Sequence, residues 1–167
     1  MRAARTDREP VPQRARTGAR PTGFIGGAVG RIVAAMAIIG HGIDLVEVAR
    51  IARMVGDHGH HFLDRCFTPR EQAYCAANPR RQHEHLAGRF AAKEAILKVL
   101  GTGWRQGIAW TDMEVLPDAL GKPTLALTGD SAEIARRIGI THWHISISHT
   151  TTHAVGSAIG ENGQNHR

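Results

Sequence analysis

The spacing of apolar residues predicts a chain that begins with a short strand and continues into helices. Residues 37–45 form an apolar run of strand length, and its two glycines indicate a close approach to another backbone. Residues 47–55 and 58–66 have apolar positions at helical spacing. The longest helix is predicted over residues 82–100, where apolar side chains recur every three or four residues and Gly101 can end the helix.

Between these segments lies a helix with a clear start signal. Thr68 can cap it, Pro69 takes the first helical position and Glu71 the third, which is the arrangement of a capping box. The helix should end near Asn78, because Pro79 disfavours helical geometry at the residue before it.

The second half of the chain has mainly strand patterns. They predict one short amphipathic helix, residues 130–138, among strands at residues 108–116, 124–127, 142–148 and 152–159. Helices are therefore grouped before strands rather than alternating with them. This order favours an α+β fold with an antiparallel sheet.

The positive charge of this 167-residue chain is concentrated at its N-terminus. Residues 1–35 hold seven of the 21 Lys and Arg residues and two of the 15 acids, which leaves 14 basic and 13 acidic residues in 36–167. A nucleic-acid-binding function is therefore not expected, because the charge of the domain is nearly balanced.

Two regions are expected: a basic extension over residues 1–35 and one domain over residues 36–167. A disordered extension or a start codon placed too far upstream explains residues 1–35 better than a transit peptide, which is usually rich in Ser and poor in acids. The apolar stretch 32–39 is too short to span a membrane. Two cysteines, Cys66 and Cys75, indicate neither a disulfide framework nor a thiolate zinc site, so a cytoplasmic location is expected.

Three groups of polar residues are candidates for chemistry, and each has a structural alternative. Asp44 leaves a predicted strand, where it could bind a metal, but with Glu47 it could also form a capping box. Glu94 and Lys98 are four residues apart, the spacing of an ordinary surface ion pair, yet their apolar neighbours leave little polar surface. His149 ends a strand whose polar face could simply be solvated.

In this order the motifs resemble the holo-acyl-carrier-protein synthases, the short 4′-phosphopantetheinyl transferases, over essentially all of 36–167. The matching segments are Gly42-Ile43-Asp44-Leu45-Val46-Glu47, then Arg89-Phe90-Ala91-Ala92-Lys93-Glu94-Ala95 with Lys98 and Gly101-Thr102-Gly103, then Gly121-Lys122-Pro123, and finally Ser148-His149-Thr150. The resemblance implies an antiparallel sheet packed against one long helix and shorter helices. It also implies transfer of 4′-phosphopantetheine from coenzyme A (CoA) to a serine of acyl carrier protein, with release of adenosine 3′,5′-bisphosphate.

The resemblance also implies roles for single residues. Asp44 and Glu94 would bind Mg²⁺, and Lys98 would neutralise phosphate charge and would be a candidate proton donor to the leaving group. Two acceptors are possible for the serine proton. One is Glu94, acting through a water molecule, and the other is a water bound to the Mg²⁺ ion. Arg50 would contact the carrier protein. His149 would be a catalytic residue near the pyrophosphate and the incoming serine, and it would also contact CoA. CoA would lie along the remaining residues: Phe90, Gly121, Lys122 and Pro123.

The resemblance implies a homotrimer with sites between subunits, but it does not say whether the carrier protein belongs to fatty-acid or polyketide synthesis. The competing function is a non-catalytic module that binds CoA or a metal with the same fold.

Overall fold

The computed structural model describes residues 37–103 and 107–163. The predicted extension over 1–35 lies outside the described residues. The helices are α1 Val48–Cys66, α2 Pro69–Ala76, α3 Gln82–Leu100 and α4 Gly129–Arg137; the strands are β1 Ala37–Glu47, β2 Met113–Pro117, β3 Pro123–Leu127, β4 His142–His149 and β5 His153–Asn162. Two short 3₁₀ turns, Pro79–Arg81 and Trp110–Asp112, complete the described elements.

The predicted α+β class is confirmed. β1, β5 and β4 form an antiparallel sheet in that order, and β2 and β3 form a separate antiparallel hairpin. The long helix α3 packs on one face of the three-stranded sheet, and α1 and α2 pack against α3. No described helix has the length and hydropathy needed to cross a membrane.

Small residues let α3 approach the sheet closely. Ala92 and Ala95 on α3 are fully buried. They face Gly156 on β5 and Gly42 on β1, where an added Cβ would overlap the α3 backbone. The glycines of the predicted first strand therefore mark a real backbone contact, as their position indicated.

Helix signals in the sequence agree with the structure. Thr68 and Glu71 form both hydrogen bonds of the capping box that starts α2. α3 has the predicted bounds, and Gly101 follows it with a left-handed backbone, φ = 70°. The two predicted segments 47–55 and 58–66 are joined into one kinked helix, α1, which bends at Gly59.

Two sequence interpretations are wrong. Asp44 does not cap a helix, because it lies inside β1 and the N-cap of α1 is Glu47, whose side chain makes no capping bond. The predicted strand over 108–116 begins only at Met113. Its first residues form a loop and a 3₁₀ turn in which Trp110 is buried and stacks on Phe90, with ring centroids 4.8 Å apart. Burial of single loop residues thus imitated the alternation of a strand.

Candidate active site

Asp44 and Glu94 lie together where β1 crosses α3. The close contact at Gly42 holds the strand against the helix, and Asp44, two residues further along β1, faces the same side. Partial burial, and next the charge of Asp44, raise the pKa of Glu94, while Lys98 and Arg50 act in the opposite direction. Two carboxylates 50 positions apart therefore share one electrostatic environment.

Lys98 pairs with Asp44 rather than with Glu94. Its ammonium nitrogen lies 2.9 Å from Oδ1 of Asp44 and also donates to the backbone carbonyl of Ile43. The helix surface pair considered for Glu94 and Lys98 is thus replaced by a bond between helix and strand. Lys98 places positive charge beside Asp44 and lowers the pKa of Glu94, against the effects of burial and of Asp44.

This group is an incomplete set of metal ligands. Among residues 37–103 and 107–163, no cluster of three or more His, Cys, Asp or Glu side chains could hold a metal ion. A pair of carboxylates suits Mg²⁺, which keeps several waters and binds substrate phosphates.

His149 belongs to a second group of polar residues. It lies on the same face of the sheet as Asp44. The two positions are on β4 and β1, each paired with β5: His149 is opposite Ala154, and Asp44 is opposite Gly156. Strand spacing and rise place their Cα atoms about 12 Å apart. This distance is compatible with one extended ligand that contacts both residues.

A cavity of about 150 Å³ opens beside His149. Gly121 and Pro123 line it, but the exposed Lys122 does not; its backbone N–H donates to Asp118 at 2.9 Å. The structure therefore groups three of the predicted CoA contacts, His149, Gly121 and Pro123, around one cavity.

The same cavity has polar residues to which the sequence motifs assigned no role. Arg89 is buried with 6% of its surface exposed, and its guanidinium lies 4.1 Å from the ring centre of Tyr74. His85 also lines the cavity; burial and then the charge of Arg89 lower the pKa of its imidazole. Arg89 could have been suspected, because it is a charged residue within an apolar helix.

Phe90 belongs to a different cavity. This space of about 320 Å³ is mainly apolar, and Phe90, Trp110 and Met54 line it. Arg50 is exposed on α1, one turn before Met54. The structure thus separates Phe90 from the other predicted CoA contacts and places it near the helix that bears Arg50.

A fully buried ion pair, Lys93 with Glu71, joins the elements that surround this site. The ammonium of Lys93 lies 2.7 Å from Glu71 and donates to the carbonyls of Cys66 and Trp110 at 2.8 and 3.0 Å. Glu71 also accepts from the backbone N–H of Val115. Burial lowers the pKa of Lys93, and the Glu71 carboxylate opposes this effect. The pair joins α1, α2, α3 and β2 beside Glu94, and sequence spacing gave no sign of it.

Comparison with known proteins identifies the family. The profile of the 4'-phosphopantetheinyl transferase superfamily matches residues 40–157. The chain belongs to this superfamily. Holo-[acyl-carrier-protein] synthase of Koribacter versatilis is 45% identical over 124 residues, 74% of this chain and 98% of the relative. The synthase of Trichlorobacter lovleyi is 46% identical over 125 residues, 74% and 98% of the two chains.

Solved structures agree with this assignment. The synthase of Neisseria meningitidis superposes with a TM-score of 0.67 at 31% identity, covering 74% of this chain and 98% of the other. That of Bacillus anthracis, in complex with CoA (3',5'-ADP), has a TM-score of 0.63 at 35% identity, covering 77% and 100%. The resemblance to the short phosphopantetheinyl transferases is confirmed, and the chain is an enzyme of this family.

Proposed function

We propose that this enzyme transfers 4′-phosphopantetheine from CoA to a serine of acyl carrier protein and releases adenosine 3′,5′-bisphosphate. The observation that supports this reaction best is the grouping of Asp44, Glu94 and Lys98 between β1 and α3. Relatives of this chain are named for the same activity, and a related structure contains CoA (3',5'-ADP).

Asp44 and Glu94 are the residues that would hold Mg²⁺. Their oxygens are of the type that the ion prefers, and two carboxylates leave positions for phosphate oxygens and waters. The bound ion would supply positive charge that polarises the pyrophosphate of CoA. Partial burial and the charge of Asp44 raise the pKa of Glu94, which suits Glu94 to accept a proton, either directly or through a water.

The transfer exchanges one P–O bond for another. The serine hydroxyl oxygen attacks the phosphorus next to pantetheine, the bond from this phosphorus to the bridging oxygen breaks, and the serine proton passes to Glu94 or to a water. Adenosine 3′,5′-bisphosphate leaves with the bridging oxygen. Lys98 would stabilise the negative charge of this leaving group, and alignment of serine and phosphorus supplies much of the rate enhancement.

CoA would extend from the carboxylates toward His149. The distance of about 12 Å between these positions, from strand geometry, suits a ligand with several phosphates. Gly121, Lys122 and Pro123 would lie along it, with Gly121 and Pro123 on the wall of the His149 cavity. Phe90 would contact the ligand at the other cavity, on the α1 side.

The exposed side of α1 would receive the carrier protein. Arg50 is exposed there and close enough to Glu94 to influence its pKa. A cation in this position can attract an acidic partner and orient it toward the reacting phosphorus.

A homotrimer would cover the sheet face that α3 leaves open. Ile43 and Leu45 point away from α3 and have 55% and 66% of their surface exposed. Large apolar side chains exposed next to each other on one face of a sheet indicate an interface. A cytoplasmic location would suit the enzyme, because Cys66 and Cys75 are free thiols.

The test is incubation of the protein with CoA, Mg²⁺ and an apo acyl carrier protein. Mass spectrometry should show the carrier gaining one phosphopantetheine, and the gain should disappear with EDTA. A carrier of unchanged mass, together with CoA binding by calorimetry, would instead establish the non-catalytic binding module.

A further inference from the structure

The exposed apolar surface of the described residues is concentrated on β1. Among residues 37–103 and 107–163, six large hydrophobic side chains are exposed, and four of them belong to this one strand: Ile38, Ile39, Ile43 and Leu45. We call these four residues the β1 patch. β1 is also an edge strand of its sheet. An apolar patch on an edge strand is a surface that another chain can cover.

Leu120 stands at the tip of the β2–β3 hairpin and is 95% exposed. Asp118 holds this turn in one shape. Its Oδ1 accepts from the backbone N–H groups of Leu120 and Lys122, both at 2.9 Å. Its own N–H donates to the carbonyl of Lys122, and its carbonyl accepts from the N–H of Gly121. A leucine on a turn that is already ordered loses little backbone freedom when it binds, which favours docking.

The β1 patch and Leu120 lie near opposite edges of the three-stranded sheet. The strand order is β1-β5-β4, and β3 of the hairpin packs beside β4, the edge strand opposite β1. Two strand spacings, about 10 Å, separate β1 from β4. Both features are exposed in a single copy, so they do not cover each other. A contact between them requires two copies of the chain.

A three-fold homotrimer requires two different contact surfaces on each copy. A two-fold axis brings the same patch of two subunits together, but around a three-fold axis each copy offers one surface to the copy before it and another to the copy after it. The β1 patch supplies one surface. Two other large hydrophobic side chains are exposed among the described residues, Tyr74 and Leu120. The ring of Tyr74 is already covered by the guanidinium of Arg89, 4.1 Å from its centre, which leaves Leu120 for the second surface.

We propose that the hairpin tip of one copy, with Leu120, docks on the β1 patch of the next copy, an inference that rests on the homotrimer in the proposed function. Ile43 and Leu45 face away from α3, and Leu45 lies opposite the half-buried Val155 of β5. These side chains together form an apolar seat for one leucine. Removal of the leucine and the β1 patch from water drives the association. Three such head-to-tail contacts close the ring.

Cross-linking tests which surfaces meet. The natural thiols of Cys66 and Cys75 are buried, so introduced cysteines can be linked selectively with a short bismaleimide. The double variant Leu120→Cys/Leu45→Cys should give covalent trimers on a denaturing gel, because each copy then has one thiol on each surface. Each single variant should stay monomeric on the same gel. Covalent dimers of Leu120→Cys alone or of Leu45→Cys alone, or no link in the double variant, would overturn the proposal.

Sedimentation velocity measures the strength of the contact. Leu120→Asn and Ile43→Thr should each raise the protein concentration at which the trimer dissociates about 10-fold or more, because a large apolar side chain is lost from every interface. Asparagine suits a turn and threonine suits a strand, so both variants should keep the fold. Ala119→Asn in the same turn is the matched control and should leave the trimer unchanged. Unchanged dissociation of Leu120→Asn would refute the docking.

The contact and the proposed function can fail separately, because cross-linking requires no turnover. If the unmodified enzyme transfers nothing but the double variant is linked into trimers, the transferase proposal fails and the contact stands. If transfer is normal and the unmodified enzyme is a trimer, but the double variant is not linked, the contact alone fails. A higher KM for CoA in Leu120→Asn with an unchanged trimer would show that the tip contacts the substrate instead, and would also overturn the proposal.

Discussion

The ammonium of Lys98 on α3 lies 2.9 Å from the carboxylate of Asp44 on β1, and this bond joins the helix and the strand that bear the candidate metal ligands. The Lys98 side chain is about half exposed, at 49%, so the pair adds little to stability. The importance of Lys98 is the positive charge that it places beside Asp44 and Glu94.

Lys98→Met should lower kcat about 100-fold, because one preorganised charge at the leaving group is lost. The melting temperature should change little. Arg136→Met is the control, because it removes an exposed ion pair with Glu133 away from the site. Near-normal kcat in Lys98→Met would contradict the role assigned to this residue.

Glu94→Gln should abolish transfer while the fold is retained. The raised pKa of Glu94 means that the folded protein binds this proton more tightly than the unfolded chain does. The stability from this group is therefore complete below the ordinary Glu pKa and is lost as pH rises through the higher folded value. Relative to Glu94→Gln, the unmodified enzyme should lose stability over this interval.

Magnesium provides the second readout for Glu94. Mg²⁺ should raise the melting temperature of the unmodified enzyme at neutral pH and have a much smaller effect on Glu94→Gln. Normal turnover of the variant with added Mg²⁺, or an equal thermal shift in both proteins, would exclude Glu94 as a ligand.

Arg50→Glu should weaken binding of the carrier protein more than binding of CoA, because an exposed cation is replaced by an anion. Binding of each partner can be measured by calorimetry. Arg137→Glu makes the same change of charge on α4 and should leave both affinities close to normal. Equal losses for the two partners in Arg50→Glu would argue against a carrier-binding role.

Gly156→Ala should destabilise the enzyme by about 1–3 kcal/mol or more, since the new methyl group would overlap the backbone of α3 at Ala92. Urea unfolding measures this loss, and activity should fall as the helix moves. Gly56→Ala in α1 is the control: its Cβ would meet no atom within 4 Å, so stability should stay the same or rise. Unchanged stability of Gly156→Ala would disprove the close contact.

Lys93→Met should cost about 3–5 kcal/mol, because Glu71 would be left as a buried charge without its partner. Adding Glu71→Gln removes the second charge and keeps one amide oxygen, which can accept from the backbone N–H of either Val115 or Thr68. The double variant should therefore unfold at a higher urea concentration than Lys93→Met alone. If it is less stable, the buried charge is not the source of the loss.

Local signals in the sequence predicted the elements well. The capping residues Thr68 and Glu71 and the terminal Gly101 act within one turn of the helix, so their effect can be recognised from neighbouring positions. The strand predicted over 108–116 was wrong because Trp110 is buried by contact with Phe90, which lies far away in the sequence.

The site was only partly predictable for the same reason. The motifs singled out Asp44, Glu94, Lys98 and His149, and the structure brings the first three together. Their actual partners depend on the packing of strands and helices: Lys98 donates to Asp44, and His149 accepts from Arg81 and lies 3.1 Å from Glu84. The buried pair of Glu71 and Lys93 depends on four elements, and no short sequence pattern indicates it.

The two buried thiols have a practical consequence. Burial raises the pKa of both Cys66 and Cys75 to about 11, so that only about one molecule in 10,000 is a thiolate at pH 7. Alkylating reagents should therefore leave the native protein unmodified. A single cysteine introduced on the surface could therefore be labelled with a fluorescent dye while Cys66 and Cys75 are left in place.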